Sequence, residues 1–416
     1  MSAFWATTRG WLLRLAIVTV LAGVGAGVGG MVLSLILHAI EHVAFGYSSG
    51  TLLAAASRLE PWRRLIPLLV AGVIGACGWY ALRRWGTPVV SVKRAVDGVR
   101  MPWLVTVANA VLQIIVVGLG ASVGREVAPR EVGALVSGWL SDVAGLTARE
   151  RRVIVACGAG AGLAAVYSVP FGGALFTIEV LLAEVSIATV IPAFVASGVA
   201  TLVASPVVPT TAWYIVPNYS MSWSIVVWAI IAGPLLGAAA SGFTWLVKTA
   251  EGARPKGWTI FVVMPVVFAT VGVLAMVTPT VLGNGRALAQ TAFDGSLAIG
   301  ILALFTLIKV YGTTATIGSG AAGGTLTPSL AIGAGLGAVL GGLWLFLWPG
   351  AEIGAFALIG AAAFLSSTMR APLTGLVLVI EFSHSGTGLL IPLVIAVAGA
   401  VAVGYVSGRR RVVGVP

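Results

Sequence analysis

The chain has 416 residues, 59% hydrophobic and 9% charged, with a mean hydropathy of +1.05. That balance excludes a water-soluble globular protein and identifies a polytopic membrane protein. The formal net charge of +11 is scattered over short loops and both ends rather than gathered in one patch, which excludes a nucleic-acid footprint.

In chain order, Arg9 and Arg14 precede the first apolar run, residues 16–37. This run has no cleavage signature and is longer than a signal-peptide core, so it is expected to be retained as a span. At its end lies His38-Ala-Ile-Glu41-His42. This fits the H-x-x-E-H pattern of some zinc peptidases and defines a remote enzyme alternative, an intramembrane metalloprotease. Such a site needs a third ligand. Only His384 remains among the histidines and no acidic cluster accompanies it, so no enzyme and no metal site are expected.

Residues 65–82, 153–178, 185–247 and 257–285 carry no charge, and each is long enough for one or more spans of roughly 20 residues. They are continuously apolar, which argues for helices rather than the alternation of a β-barrel. The 55 glycines predict close helix packing and several broken helices, tolerated only where they line a polar cavity or are buried in protein. Cys77 and Cys157 lie in separate apolar runs and read as small packing residues. Basic residues at both ends, Arg409 to Arg411 at the second, place both termini in the cytoplasm.

The most informative residue is Glu126, in Gly118-Leu-Gly-Ala-Ser-Val-Gly-Arg-Glu-Val-Ala-Pro-Arg-Glu131. The glycines permit a tight turn, and a new helix is expected to begin there. The first N–H groups of a helix are unpaired and sit at the positive end of its dipole, which suits an anion. A carboxylate there is either the anion itself, displaced when a mobile ion arrives, or a structural helix cap. Intramembrane ionisable groups are functional candidates by default.

Residues 206–222, rich in proline and polar groups, are the expected linker between two halves, about 60–205 and 223–408, of one transmembrane domain, 1–416. The halves share a plan. Gly158-Ala-Gly-Ala-Gly-Leu through Pro170 and Gly173 to Ile178-Glu179 recurs at a constant offset of 202 residues as Gly360 through Pro372 and Gly375 to Ile380-Glu381. Gly120-Ala-x-x-Gly124 and Gly133-Ala134 recur at an offset of 200 as Gly320-Ala-x-x-Gly324 and Gly333-Ala334. Paired, glycine- and proline-interrupted repeats point to a transport pathway between them near mid-membrane. Parallel and inverted repeats both remain open at this point. The second match sets Leu326 opposite Glu126.

These motifs in this order resemble the CLC family of chloride channels and proton/chloride exchangers, in the prokaryotic form without cytoplasmic regulatory domains. Gly124-Arg125-Glu126 is similar to the family's GREGP, with Val127-Ala128 in place of Gly-Pro. Gly323-Gly324-Thr325-Leu326-Thr327-Pro328 is similar to its GxFxP segment, with Leu326 for the aromatic. Gly86-Thr87-Pro88-Val89-Val90 stands where the family has GSGIP. The resemblance covers almost the whole chain. It implies an all-α polytopic membrane protein, a CLC-type inverted repeat with many tilted and broken helices, and a homodimer with one pore per subunit. It further implies Glu126 as the gate, and an anion site at Thr87, Arg125, Glu126, Val127, Thr325 and Leu326. Pro88 suits the first turn of a helix.

An anion pathway must replace hydration without trapping the ion, which partial charges from N–H groups and hydroxyls achieve. Thr87, Thr325 and Thr327 fit; Arg125 is expected to raise the local potential rather than ligate. Three departures from the family bear on proton coupling. The inner proton-relay glutamate that follows the residue matching Glu179 is here Val180, the inner tyrosine has no clear match, and the GSGIP serine is Thr87. Glu126, Glu179 and Glu184 form the candidate proton pathway. Glu184 stands four residues past Val180, on the same helical face, as a candidate substitute relay, although structural roles are favoured for Glu179 and Glu381. Glu131 is expected to pair with Arg130 or another charge, and Lys309 and Arg370 to be interfacial anchors or ion-pair partners. The expected function is chloride transport through a pore gated by Glu126, leaning passive or weakly proton-coupled. Proton-coupled chloride antiport is the main alternative and fluoride or nitrate transport a second. No cofactor is expected beyond chloride as bound ion; the partners are a small anion, protons if coupled, the lipid bilayer of the cytoplasmic membrane, and a second copy of the chain.

Overall fold

The computed structural model describes residues 8–46, 52–385 and 387–412. It is 79% helical, with seventeen α-helices and no sheet among the described residues. In chain order these are α1 (Thr8–Phe45), α2 (Leu52–Arg58), α3 (Leu65–Trp85), α4 (Val92–Val96), α5 (Trp103–Gly118), α6 (Val127–Val143), α7 (Ala148–Tyr167), α8 (Pro170–Leu175), α9 (Ile187–Ala204) and α10 (Trp223–Gly252), followed by α11 (Ile260–Val277), α12 (Arg286–Asp294), α13 (Ile299–Gly318), α14 (Leu326–Trp344), α15 (Ile353–Met369), α16 (Pro372–Ser383) and α17 (Leu390–Val412). Seven helical segments are long and apolar enough to cross a bilayer, from Gly10–Phe45 to Leu326–Trp344. Shorter apolar helices such as Ile353–Met369 fall below a full span.

The boundaries have local causes. Thr147 and Glu150 make a reciprocal capping box at the start of α7. Ser222 accepts the Ile225 N–H at 3.3 Å at the start of α10. Pro170 and Pro372 open α8 and α16, where a missing N–H costs nothing.

The repeat is written into the backbone. Four non-glycine described residues have positive φ: Ser168 (55°), Ala183 (51°), Arg370 (55°) and His384 (45°). Arg370 follows Ser168 by the expected 202 residues, and His384 follows Ala183 by 201. Left-handed residues at matched helix ends, where L side chains are disfavoured, reproduce one chain path twice. Packing repeats as well. A Cβ on Gly133 would lie 2.0 Å from the Gly158 carbonyl oxygen, and one on Gly333 2.6 Å from that of Gly360. Only glycine permits α6 to cross α7 and α14 to cross α15 this closely.

The chain divides into two compact units. One comprises residues 1–37, 82–114 and 126–211; the other comprises 38–81, 115–125 and 212–416. The break at 211/212 falls inside the proline-rich linker. Residues 38–81 and 115–125, which precede that linker in sequence, belong to the second unit.

Candidate functional site

The first glycine-rich turn follows α5. Gly120 has φ +101°, and a Cβ there would meet Leu282 at 3.1 Å and Phe45 at 3.2 Å. Four residues on, Gly124 donates to the Gly324 carbonyl at 2.7 Å and Gly324 returns the bond at 2.8 Å. This antiparallel bridge joins residues that the repeat makes equivalent, and Gly320, the counterpart of Gly120, has φ +98°. An antiparallel pair in which equivalent residues exchange N–H and C=O has a local two-fold axis through it, so the two turns are related by a two-fold rotation rather than by translation.

Glu126 stands at the N-cap of α6, fully buried, in a helical conformation (φ −78°, ψ −14°). Its side chain does not cap its own helix. Instead the Tyr167 hydroxyl donates to its Oε2 at 3.3 Å, while its backbone carbonyl accepts the Arg130 Nε–H at 2.7 Å. The first turn of α6 therefore keeps its N–H groups free of a carboxylate cap, and Val127 is its first residue. Pro129 stands in that first turn, where it removes only an N–H that has no helical partner.

The second turn starts α14. Thr325 is its N-cap and makes no side-chain cap; Leu326 is the first helical residue, 5% exposed. One turn thus carries a carboxylate, the other an apolar side chain, each at the positive end of a helix.

Arg125 points away into a cluster of its own. Its guanidinium lies 4.7 Å from the Trp213 ring centroid, and that of Arg286 lies at the same distance. Arg286 Nε also donates to the Trp213 carbonyl at 3.0 Å. Glu41 sits in the field of both arginines and His38 in that of Arg125. Among the described residues no three of His, Cys, Asp and Glu come together as a metal site.

Several sequence expectations are corrected. Lys309 is neither an interfacial anchor nor ion-paired: it is fully buried and donates to Ser122 Oγ (2.9 Å), the Val281 carbonyl (3.1 Å) and the Gly283 carbonyl (2.6 Å). The lysine thereby ties the loop after α11 to the turn that leads to Glu126. Glu131 is held by Asn109 Nδ2 (2.9 Å) and Gln113 Nε2 (3.0 Å) rather than by a cation. Pro88 precedes α4 instead of opening it; Ser91 is the cap and accepts the Arg94 N–H at 3.4 Å. Thr87 is exposed in the segment between α3 and α4. Glu184 does not share a helical face with Val180. The π-helical turn Phe176–Leu182, which contains Glu179, ends at left-handed Ala183, and Glu184 lies beyond it in ion pairs with Arg149 (3.3 Å) and Arg152 (4.0 Å).

Sequence reasoning missed Tyr167, Trp213 and the amide pair on Glu131. Tyr167 had a signal: it is the one hydroxylated aromatic in the small-residue run that repeats, and Met369 is its counterpart. Trp213 gave none, because it lies in the linker.

A family profile described as voltage gated chloride channel matches residues 69–405. The voltage-gated ClC-type chloride channel ClcB of Citrobacter koseri is 29% identical over 375 residues, covering 86% of this chain and 88% of that protein. ClcB of Escherichia coli is 30% identical over 381 residues, with the same two coverages, 86% and 88%. Among solved structures, a slow cyanobacterial Cl−/H+ antiporter superposes with a TM-score of 0.82 at 20% identity, covering 95% of each chain. A CLC-type fluoride/proton antiporter superposes with a TM-score of 0.73 at 20% identity, covering 96% of this chain and 97% of that one. The fold is shared with both, and the paired turns, the glycine crossings and the family profile agree. The chain belongs to the voltage-gated chloride channel, or CLC, family of anion transport proteins.

Proposed function

We propose that this chain carries chloride across the cytoplasmic membrane as a homodimer, through a pathway in each subunit that the Glu126 carboxylate closes. The observation that carries this reading is the buried Glu126 side chain at the first turn of α6, which leaves the helix N–H groups uncapped and rests on the Tyr167 hydroxyl. A carboxylate so placed competes with a mobile anion for the positive end of the helix. Protonation or displacement of the side chain frees the seat. The N–H groups at Val127 and at Thr325-Leu326, with the Thr87 hydroxyl, are the anion ligands in this reading, and Arg125 supplies positive potential without ligating.

Val180, where exchangers of the family have a relay glutamate, favours passive or weakly coupled passage. Proton-coupled antiport is the second reading. It is favoured by the retained Glu126 and by the likeness to two structures described as antiporters. Fluoride or nitrate selectivity is supported by the change to Thr87 at the GSGIP position and by the fluoride/proton antiporter among the structural neighbours.

Chloride efflux from liposomes holding the purified protein, with external pH recorded, tests both readings. Glu126→Gln mimics the protonated gate, so flux should persist and lose its pH dependence. An unaltered pH profile would remove Glu126 from the gate. Uphill proton movement in the unsubstituted protein would establish antiport.

A further inference from the structure

We propose that Glu131 is a proton-binding site distinct from the gate, a buried carboxyl that is held through one oxygen and takes up and releases a proton on the other. Glu131 is 5% exposed, on α6, the same helix that Glu126 caps by position. Asn109 Nδ2 and Gln113 Nε2, one turn apart on α5, both donate to its Oε2, at 2.9 and 3.0 Å. Oε1 receives no hydrogen bond from the described residues.

The partners decide what this carboxyl can do. A carboxylate clamped by a cation is fixed as an anion, whereas one held only by neutral amides on a single oxygen is satisfied on that side in either protonation state. Arg130 is the one charged group whose field reaches it. That arginine is committed elsewhere: its Nε donates to the Glu126 carbonyl and its guanidinium lies 5.1 Å from the Phe176 ring centroid. No other charged side chain of the surrounding elements is bonded to it. α5 has no ionisable residue, and α1 meets α6 through Gly25 and Gly29. Lys93 and Arg94 of α4, and Arg149, Glu150, Arg151, Arg152, Cys157 and Tyr167 of α7, make no bond to Glu131. A buried carboxyl bonded only by neutral amides on one oxygen, with no ion pair and its other oxygen unbonded, is equipped to exchange a proton.

Position separates it from the anion seat. Five residues along a helix is about 7.5 Å of rise and a different face, so a proton on Glu131 and an anion at the first turn of α6 do not compete for one place. The step moves one proton between a water molecule and Oε1, with no other bond made or broken. The inference rests on the transport reading only for the use to which the proton is put, as the inner carrier that Val180 does not provide.

The test is a pH-difference infrared spectrum of the purified protein in lipid, for the unsubstituted chain, Glu131→Gln and Glu126→Gln. Glu131→Gln should lose one protonated-carboxyl C=O band that Glu126→Gln retains; retention of every band in Glu131→Gln overturns the proposal. Asn109→Leu removes one amide donor and should shift that band, which keeps the proposal testable should Glu131→Gln fail to fold; an unshifted spectrum overturns it. In liposomes, Glu131→Gln should lower the ratio of protons to chloride moved. Band loss in a protein that moves no protons would sink the antiport reading and leave the proton site standing.

Discussion

Tyr167 holds the Glu126 carboxylate. Its phenol hydroxyl donates to Glu126 Oε2 at 3.3 Å, and the two residues are 1% and 0% exposed. The tyrosine is the last residue of α7, and left-handed Ser168 turns the chain immediately after it. Its ring is therefore set by the helix end, and the Glu126 carboxylate rests on a fixed donor. A hydrogen bond to a charged group is worth about 1.5–3 kcal/mol net, and the length of this one argues for the lower end. Under the proposed gating reading, Tyr167→Phe should favour the open position of Glu126 about tenfold and shift the pH dependence of chloride flux. In the Glu126→Gln background the same change should have little effect. Flux measured against pH in the two single variants and the double variant decides this: additive effects would mean that Tyr167 acts only on packing.

The glycine crossings predict a large difference between two alanine substitutions. Gly133→Ala puts a methyl group 2.0 Å from the Gly158 carbonyl oxygen, and backbone cannot move aside cheaply. The helices must part, at the upper end of overpacking costs, about 3 kcal/mol. Gly198→Ala, in α9, meets nothing within 4 Å and should stabilise by about 0.5–1 kcal/mol. Thermal unfolding of the two variants in the same detergent reads the contrast. Equal melting temperatures would mean that α6 and α7 have room to spare.

These crossings also show how much of the molecule was legible in the sequence. The repeat was visible because glycine and proline mark backbone requirements, and backbone requirements recur when a path is reused: Gly124 and Gly324 align in sequence and bond in space. The burial of Glu126 at a helix start was legible because a carboxylate in an apolar run has few places to go. Side-chain partnerships were not. Asn109 and Gln113 approach Glu131 from a different helix, and nothing in the local sequence records which face of α5 turns toward α6. Glu184 misled for the opposite reason. The i, i+4 rule assumes a continuous helix, and the chain leaves the helix at Ala183.

Lys309 sets two costs against each other. Replacing it with Met removes a buried charge, which by itself can stabilise. It also leaves Ser122 Oγ and the Val281 and Gly283 carbonyls without this donor, and a buried polar group left unsatisfied costs about 1–3 kcal/mol. Three acceptors outweigh one relieved charge, so Lys309→Met should lose about 2 kcal/mol, again in proportion to the cost of a buried polar group left unmade. The change should also slow transport, because Ser122 lies in the turn that leads to Glu126. A melting temperature at or above that of the unsubstituted protein would show that desolvation of the ammonium dominates.

Thr87 and Ser91 compete for one role. The family resemblance gives the anion-ligating hydroxyl to Thr87, yet the structure starts α4 at Val92 and makes Ser91 its cap. Thr87 is exposed and its hydroxyl is left for a ligand, whereas the Ser91 Oγ is occupied by the Arg94 N–H at 3.4 Å. Thr87→Ala should therefore change the relative permeability of chloride, nitrate and fluoride with little loss of stability. Ser91→Ala should cost about 1 kcal/mol of stability, as cap removal does, and leave the preference unchanged. Reversal potentials under mixed-anion gradients, alongside thermal unfolding, separate the two. A shifted preference in Ser91→Ala and none in Thr87→Ala would move the anion ligand to the helix cap.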